Sequence, residues 1–145
     1  MRNILLAFLL VLVTVLSHAA TFTSVTSGNW TDRATWGLPA PGFSPPAAGD
    51  DVIISTGHAV TVGAGGGPTR SCNNLTIEDG AFLDWGTKNL EVNGNLLLEG
   101  SMNGSSSKDV TIVGGSGITI DGIGLARGMR NFYIEGDVEF VTGCD

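Results

Sequence analysis

Five short bursts of alternating apolar residues, each pair joined through glycine, constrain this chain more than any other feature. Val52-x-Ile54 leads through Gly57 to Val60-x-Val62, and Leu75-x-Ile77 leads through Gly80 to Phe82. Leu90-x-Val92 passes Gly94 into Leu96-x-Leu98, Val110-x-Ile112 passes Gly114 to Gly117 into Ile118-x-Ile120, and Phe132-x-Ile134 passes Gly136 into Val138-x-Phe140. Alternation at period two places each apolar set on one face of a strand. Glycine between two bursts supplies the backbone freedom of a sharp corner. The burst starts are 23, 15, 20 and 22 residues apart, an average of 20, and repeats of this size belong to stacked-coil architectures.

One such pair cannot bury its apolar face alone, whereas coils stacked about 4.8 Å apart pool their side chains into a column. The expected fold is therefore all-β, a right-handed parallel β-solenoid (β-helix). The same strands would also suit an antiparallel sandwich, but the recurrence of glycine at one place in each pair favours the solenoid. Leu75, Leu90, Val110 and Phe132 are expected in one inner ladder, with Ile77, Val92, Ile112 and Ile134 in a second. Gly63 to Thr69, Gly100 to Lys108 and Asp121 to Asn131 read as Gly- and Ser-rich loops.

Ahead of the first burst lies Asn29-Trp30-Thr31-Asp32-Arg33-Ala34-Thr35-Trp36, then a Pro/Gly loop and Gly49-Asp50-Asp51-Val52. With Gly57-His58-Ala59-Val60-Thr61-Val62 and Asn74-Leu75-Thr76-Ile77, this order resembles the extracellular domain named for its eight glycines, the G-eight domain. It also resembles the amino-terminal part of repetitive surface proteins of Bacteroidetes-like bacteria, and the likeness covers roughly residues 28 to 120. What it implies is an extracellular role beside other modules, as in fibrocystin-like receptors and hyaluronan-degrading surface proteins. Gly57-His58 belongs to that family's fold signature and carries no catalytic role over. Solenoids need covered ends, so residues 20–48, with Phe22, Trp30, Trp36 and Phe43, are expected to form an N-terminal cap, and residues 49–145 the solenoid coils, which are expected either to continue C-terminally in a longer chain or to be covered there by another molecule. Both tryptophans are expected in the core of that cap rather than on a sugar-stacking platform.

Residues 1–19 combine Arg2, an apolar run from Ile4 to Leu16, and small residues around Ser17, Ala19 and Ala20. That run suits a signal peptide cleaved after Ala19 better than an uncleaved anchor, which needs about 20 apolar residues. The expected localisation is secreted or cell surface, with no membrane contact after cleavage. Beyond residue 19 there remain six Lys and Arg against fourteen Asp and Glu. Such a balance makes nucleic acid and anionic membranes poor partners. Glycine, at 22 of 145 residues, is about twice its usual ~7% and without the collagen period.

Few residues suggest chemistry. His58 stands at a corner, and no Gly-x-Ser-x-Gly elbow accompanies it, so it reads as a turn residue rather than a catalytic base. Asp50 and Asp51 invite calcium but supply too few oxygens alone and read as turn formers. Glu135, Asp137 and Glu139 alternate and are expected to project together, with Arg127 and Arg130 nearby. A glycosidase needs two carboxylates at a defined separation in a groove, and an exposed acidic row is the expected reading. Cys72 and Cys144 permit one bridge at most, and their separation along the axis argues against it. Sequons at Asn29, Asn74 and Asn103 matter only in a host that glycosylates them. No catalytic residue, cofactor or metal is expected.

These features together predict a secreted, non-catalytic β-solenoid module of a cell-surface or extracellular matrix protein, working in adhesion or carbohydrate binding. Its expected partners are an extracellular polysaccharide or a cell-surface protein, with self-association through the C-terminal edge. The rival expectation is an accessory or catalytic portion of a polysaccharide-degrading enzyme.

Overall fold

The structure, a computed structural model, describes residues 19–39, 42–63, 69–104, 108–113, 118–128 and 130–141. The signal-peptide reading falls outside these residues except for Ala19. Every described strand pairing is parallel, and the strands assemble into three sheets. Sheet A holds β1 (Thr21–Thr23), β3 (Asp51–Ile54), β6 (Leu75–Ile77), β9 (Leu96–Leu98), β12 (Ile118–Asp121) and β15 (Val138–Phe140). Sheet B holds β2 (Gly28–Asn29), β4 (Ala59–Thr61), β7 (Phe82–Gly86), β10 (Ser101–Gly104) and β13 (Leu125–Arg127). Sheet C holds β5 (Arg70–Cys72), β8 (Leu90–Val92), β11 (Asp109–Val113) and β14 (Asn131–Glu135). From β3 onward the chain visits A, B and C in turn, so the fold is the expected parallel β-solenoid, with a three-sided coil.

The third side corrects the expected ladders. Leu75 pairs with Val52 and Leu96 in sheet A, whereas Leu90, Val110 and Phe132 align in sheet C. Likewise Ile77 pairs with Ile54 and Leu98, while Val92, Ile112 and Ile134 form their own column. Reading two strands per coil had merged two sides of the prism. The two expected loops Gly100 to Lys108 and Asp121 to Asn131 contain β10 and β13, each paired in sheet B. Phe82 faces outward, and its neighbours Leu83 and Trp85 fill the interior.

The core is one column of buried side chains running through the coils, from Phe22, Trp30 and Trp36 to Ile112 and Ile120. Each fully buried aliphatic side chain contributes about 1.5–3 kcal/mol. Corners are held by side-chain ladders as well as by glycine. Asp51 Oδ1 accepts from Asn73 Nδ2 at 2.9 Å and Asn74 Nδ2 at 2.8 Å. Asn74 Oδ1 in turn accepts from Asn95 N, and Asn95 Oδ1 from Thr119 N, both at 2.8 Å. Short amide side chains thus satisfy the backbone donors of successive corners. Gly94 belongs to this ladder through space rather than backbone twist, because a Cβ there would lie 2.4 Å from Asn74 Oδ1.

The sheets begin earlier than the sequence suggests. β1 and β2 already extend sheets A and B, so residues 20–48 contain a partial coil. A 3-10 helix, Arg33–Trp36, follows, with Asp32 accepting from Ala34 N at 3.1 Å and Gly37 closing its end at φ 64°. Trp36 lies edge-on to both Phe22 and Trp30, with ring centroids 5.7 Å apart in each case. Its Nε1 donates to Trp30 O at 2.8 Å, and Trp30 Nε1 donates to Pro46 O at 3.3 Å. Both indoles are buried and hydrogen-bonded, as core residues of the cap must be.

In sheet C, Arg130 forks onto Asp109 of the preceding coil, with Nε 3.0 Å from Oδ1 and Nη2 bonded to Oδ2. Asn131 Nδ2 adds a third bond at 2.9 Å. The Arg130 hydrogen bond is the main cause holding the Asp109 carboxyl below its usual range; its partial burial pulls the other way, and Asn131 and the Arg130 charge reinforce the lowering. A depressed carboxylate stabilises the fold above its unfolded pKa of about 4, and that contribution is lost as pH falls through the lower folded value. Thermal melts from pH 6 to pH 2 should therefore show a steeper acid decline for the parent than for Asp109→Asn; parallel declines would exclude this coupling.

Candidate functional site

Two outward columns run along sheet B. Register places Ala59, Phe82, Ser101 and Leu125 in one, and Thr61, Asp84, Asn103 and Arg127 in the other. Parallel strands keep side chains of one column about 4.8 Å apart. The small Ser101 between Phe82 and Leu125 leaves a notch, and two depressions of about 300 and 260 Å³ meet there. The first reaches the corner residues Asp79, Glu99 and Ile123, and the second reaches Asn103 and Arg127. The result is a shallow trough with an aromatic and aliphatic floor beside a carboxylate, an amide and a guanidinium. Ligand sites combine an apolar surface with a few orienting polar groups.

The strand order explains why these groups gather. Leu83, Trp85 and Met102 point inward and anchor β7 and β10, which forces Phe82, Asp84, Ser101 and Asn103 outward. Asp84 Oδ1 also accepts from Gly86 N at 2.7 Å, which fixes the carboxylate at the end of its strand. The sequence reading missed this face apart from Arg127. Its signal was the offset alternation Phe82-Leu83-Asp84-Trp85, in which the outer pair mixes aromatic and acid.

The residues singled out from sequence are distributed elsewhere. His58 does meet a serine: Ser24 Oγ lies 2.9 Å from His58 Nδ1. That hydroxyl is buried and accepts from Ser55 N at 2.9 Å, so the pair ties the cap to the first corner and presents no accessible nucleophile. Asp50 accepts from Ala20 N at 2.9 Å and Ala47 N at 3.0 Å, binding cap to coil. Asp51 serves the asparagine ladder described above. Glu135 lies on sheet C and Glu139 on sheet A, with Asp137 at the corner between them. This corrects the expected common row, because the chain turns a vertex between the two strands. Cys72 is a free, fully buried thiol, and burial, aided by Asp51, pushes its pKa up to about 12. Such a thiol is inert as a nucleophile. Cys144 lies outside the described residues.

No protein-family model, curated protein or solved structure matches this chain. The class is defined by the fold itself, a three-sided parallel β-solenoid closed by an N-terminal aromatic cap.

Proposed function

We propose that the chain is a secreted, non-catalytic β-solenoid module of a cell-surface or extracellular matrix protein, and that it contacts glycans through sheet B. The observation that carries this reading is the trough at Ser101, where Phe82 and Leu125 stand beside Asn103 and Arg127, with Asp84 next to Asn103 in register. Sugar rings offer an apolar face and a rim of hydroxyls, and the two columns offer an apolar strip beside donors and acceptors. Glu135 and Glu139 occupy different faces, so they do not supply the opposed carboxylate pair that glycoside cleavage requires. Acting as a platform, the sheet would hold a polymer without altering it.

Affinity electrophoresis through gels containing β-glucan, xylan, pectin or chitosan tests the proposal. Retardation by at least one polymer is expected, with Phe82→Ala and Asn103→Ala each weakening it about tenfold. Thr111→Ala, on the outward face of sheet C, should leave it unchanged. Binding lost equally in all three variants, or no retardation by any polymer, would refute the sheet B assignment, and release of reducing ends would refute the non-catalytic one.

A further inference from the structure

The two faces that bound the described coils are built differently. At the first end, β1 and β2 extend sheets A and B under the aromatic cap, and β5 is the outer strand of sheet C. Arg70 of β5 stands in register with Leu90, at the head of an inward column, and its Nε is buried without a partner among the described residues. An inward charge at a sheet edge discourages addition of another strand. At the second end, β13, β14 and β15 are the outer strands of sheets B, C and A. Their core columns are uncovered. Phe132 is 37% exposed, Ile134 39% and Phe140 56%, although they continue the buried columns of Val110, Ile112 and Ile120. The surface here is the same stacking surface that joins the earlier coils, with nothing over it among the described residues.

Charge is segregated along this coil. Arg127 and Arg130 precede β14, whereas Glu135, Asp137 and Glu139 end it and follow it. We propose that this face is a self-complementary interface, occupied by a second copy of the chain docked end to end about a two-fold axis through the middle of β14. The two-fold reverses the path of the coil, so β14 pairs antiparallel with its symmetry mate, and Phe132 meets Ile134 of the second copy across Tyr133. The first half of each coil then faces the second half of the other. Arg130 comes beside Glu135 of the second copy, and β13 with Arg127 comes beside β15 with Glu139, each contact occurring twice. Opposite charges across antiparallel pairs are stabilising. Asp109 uses two of the guanidinium donors of Arg130, which remains 55% exposed, so donors are left for a second carboxylate. The capped first end cannot take part in such stacking, and an isologous contact closes after two copies rather than growing into a fibre.

Sedimentation of the purified chain across micromolar concentrations should show a monomer–dimer equilibrium, weakened by added salt. Arg127→Glu and Glu139→Arg should each weaken dimerisation about tenfold, through repulsion at two symmetry-related contacts. Mixed in equal amounts, the two variants should recover the parental affinity, because a heterodimer restores both opposed pairs. Glu139 lies off the sheet B trough, so its effect is separable from glycan binding. A monomer at every concentration, open-ended growth, or a mixture no tighter than either variant alone would overturn the proposal.

Discussion

Trp36→Ala is expected to destabilise the fold by about 3 to 5 kcal/mol, the range for removing a buried tryptophan. Trp36 is the hub of the cap. It touches Phe22 and Trp30 edge-on, and its indole N–H satisfies the Trp30 carbonyl. The truncation removes both ring contacts and leaves that buried carbonyl without its donor. A chain of this size has total stability of order 5–15 kcal/mol, so the loss should move the denaturant midpoint far below that of the parent. Glycan retention by whatever fraction stays folded should be unchanged. A variant that unfolds at the parental midpoint but loses polysaccharide would show that the indole is a binding platform instead.

Gly122→Ala carries the second large effect. Its φ of +118° lies where L side chains are strained, and an added Cβ would fall 2.0 Å from Leu98 O of the preceding coil. Strain of this kind costs about 1–3 kcal/mol, and the backbone clash adds to it. The expected loss is about 3 kcal/mol or more, localised to the junction of the last two coils, and visible as faster hydrogen exchange at Leu125 and Val141. The control is Gly49→Ala, where a Cβ meets nothing within 4 Å and no shift is expected. Equal midpoints for the two variants would show that the Leu98–Gly122 approach is not rigid.

Much of the coil was legible because its interior is aliphatic at regular intervals. Val52, Ile54, Leu75, Ile77, Leu90 and Val92 all point inward, two on each of β3, β6 and β8, and their alternation located those three strands. What failed was the count of sides. The interval of 15 residues between Leu75 and Leu90 marks a step from sheet A to sheet C within one coil, not a short repeat. β10 and β13 escaped for a packing reason. An added Cβ at Gly104 would lie 2.0 Å from Trp85 Cε2, so the indole of one coil occupies the space that an apolar side chain of the next would fill. Only Met102 of β10 is then buried, β13 sets the small, exposed Ala126 in register with it, and the apolar period vanishes from the sequence. The trough inherits the same obscurity, since it is made of what faces outward from those strands. Its members come two apiece from three coils, and only Phe82-x-Asp84 leaves a local trace. The cap was visible as a cluster of aromatics, but nothing in residues 20–48 announces that Thr21–Thr23 and Gly28–Asn29 are strands. Their pairing partners lie some thirty residues away, at Asp51–Ile53 and Val60–Thr61.

The position of the cap gives assembly a direction. Each coil pairs with the one before it in the chain, and the aromatic plug precedes the first full coil, so during synthesis from the amino terminus the plug is the first element available to close. Once β3 and β4 have joined the plug, every later coil meets a finished template as it emerges and need search only for its neighbour, about one coil back along the chain. Order would grow from one pole, with the most recently added coil always the least protected, as in a crystal advancing from a seed.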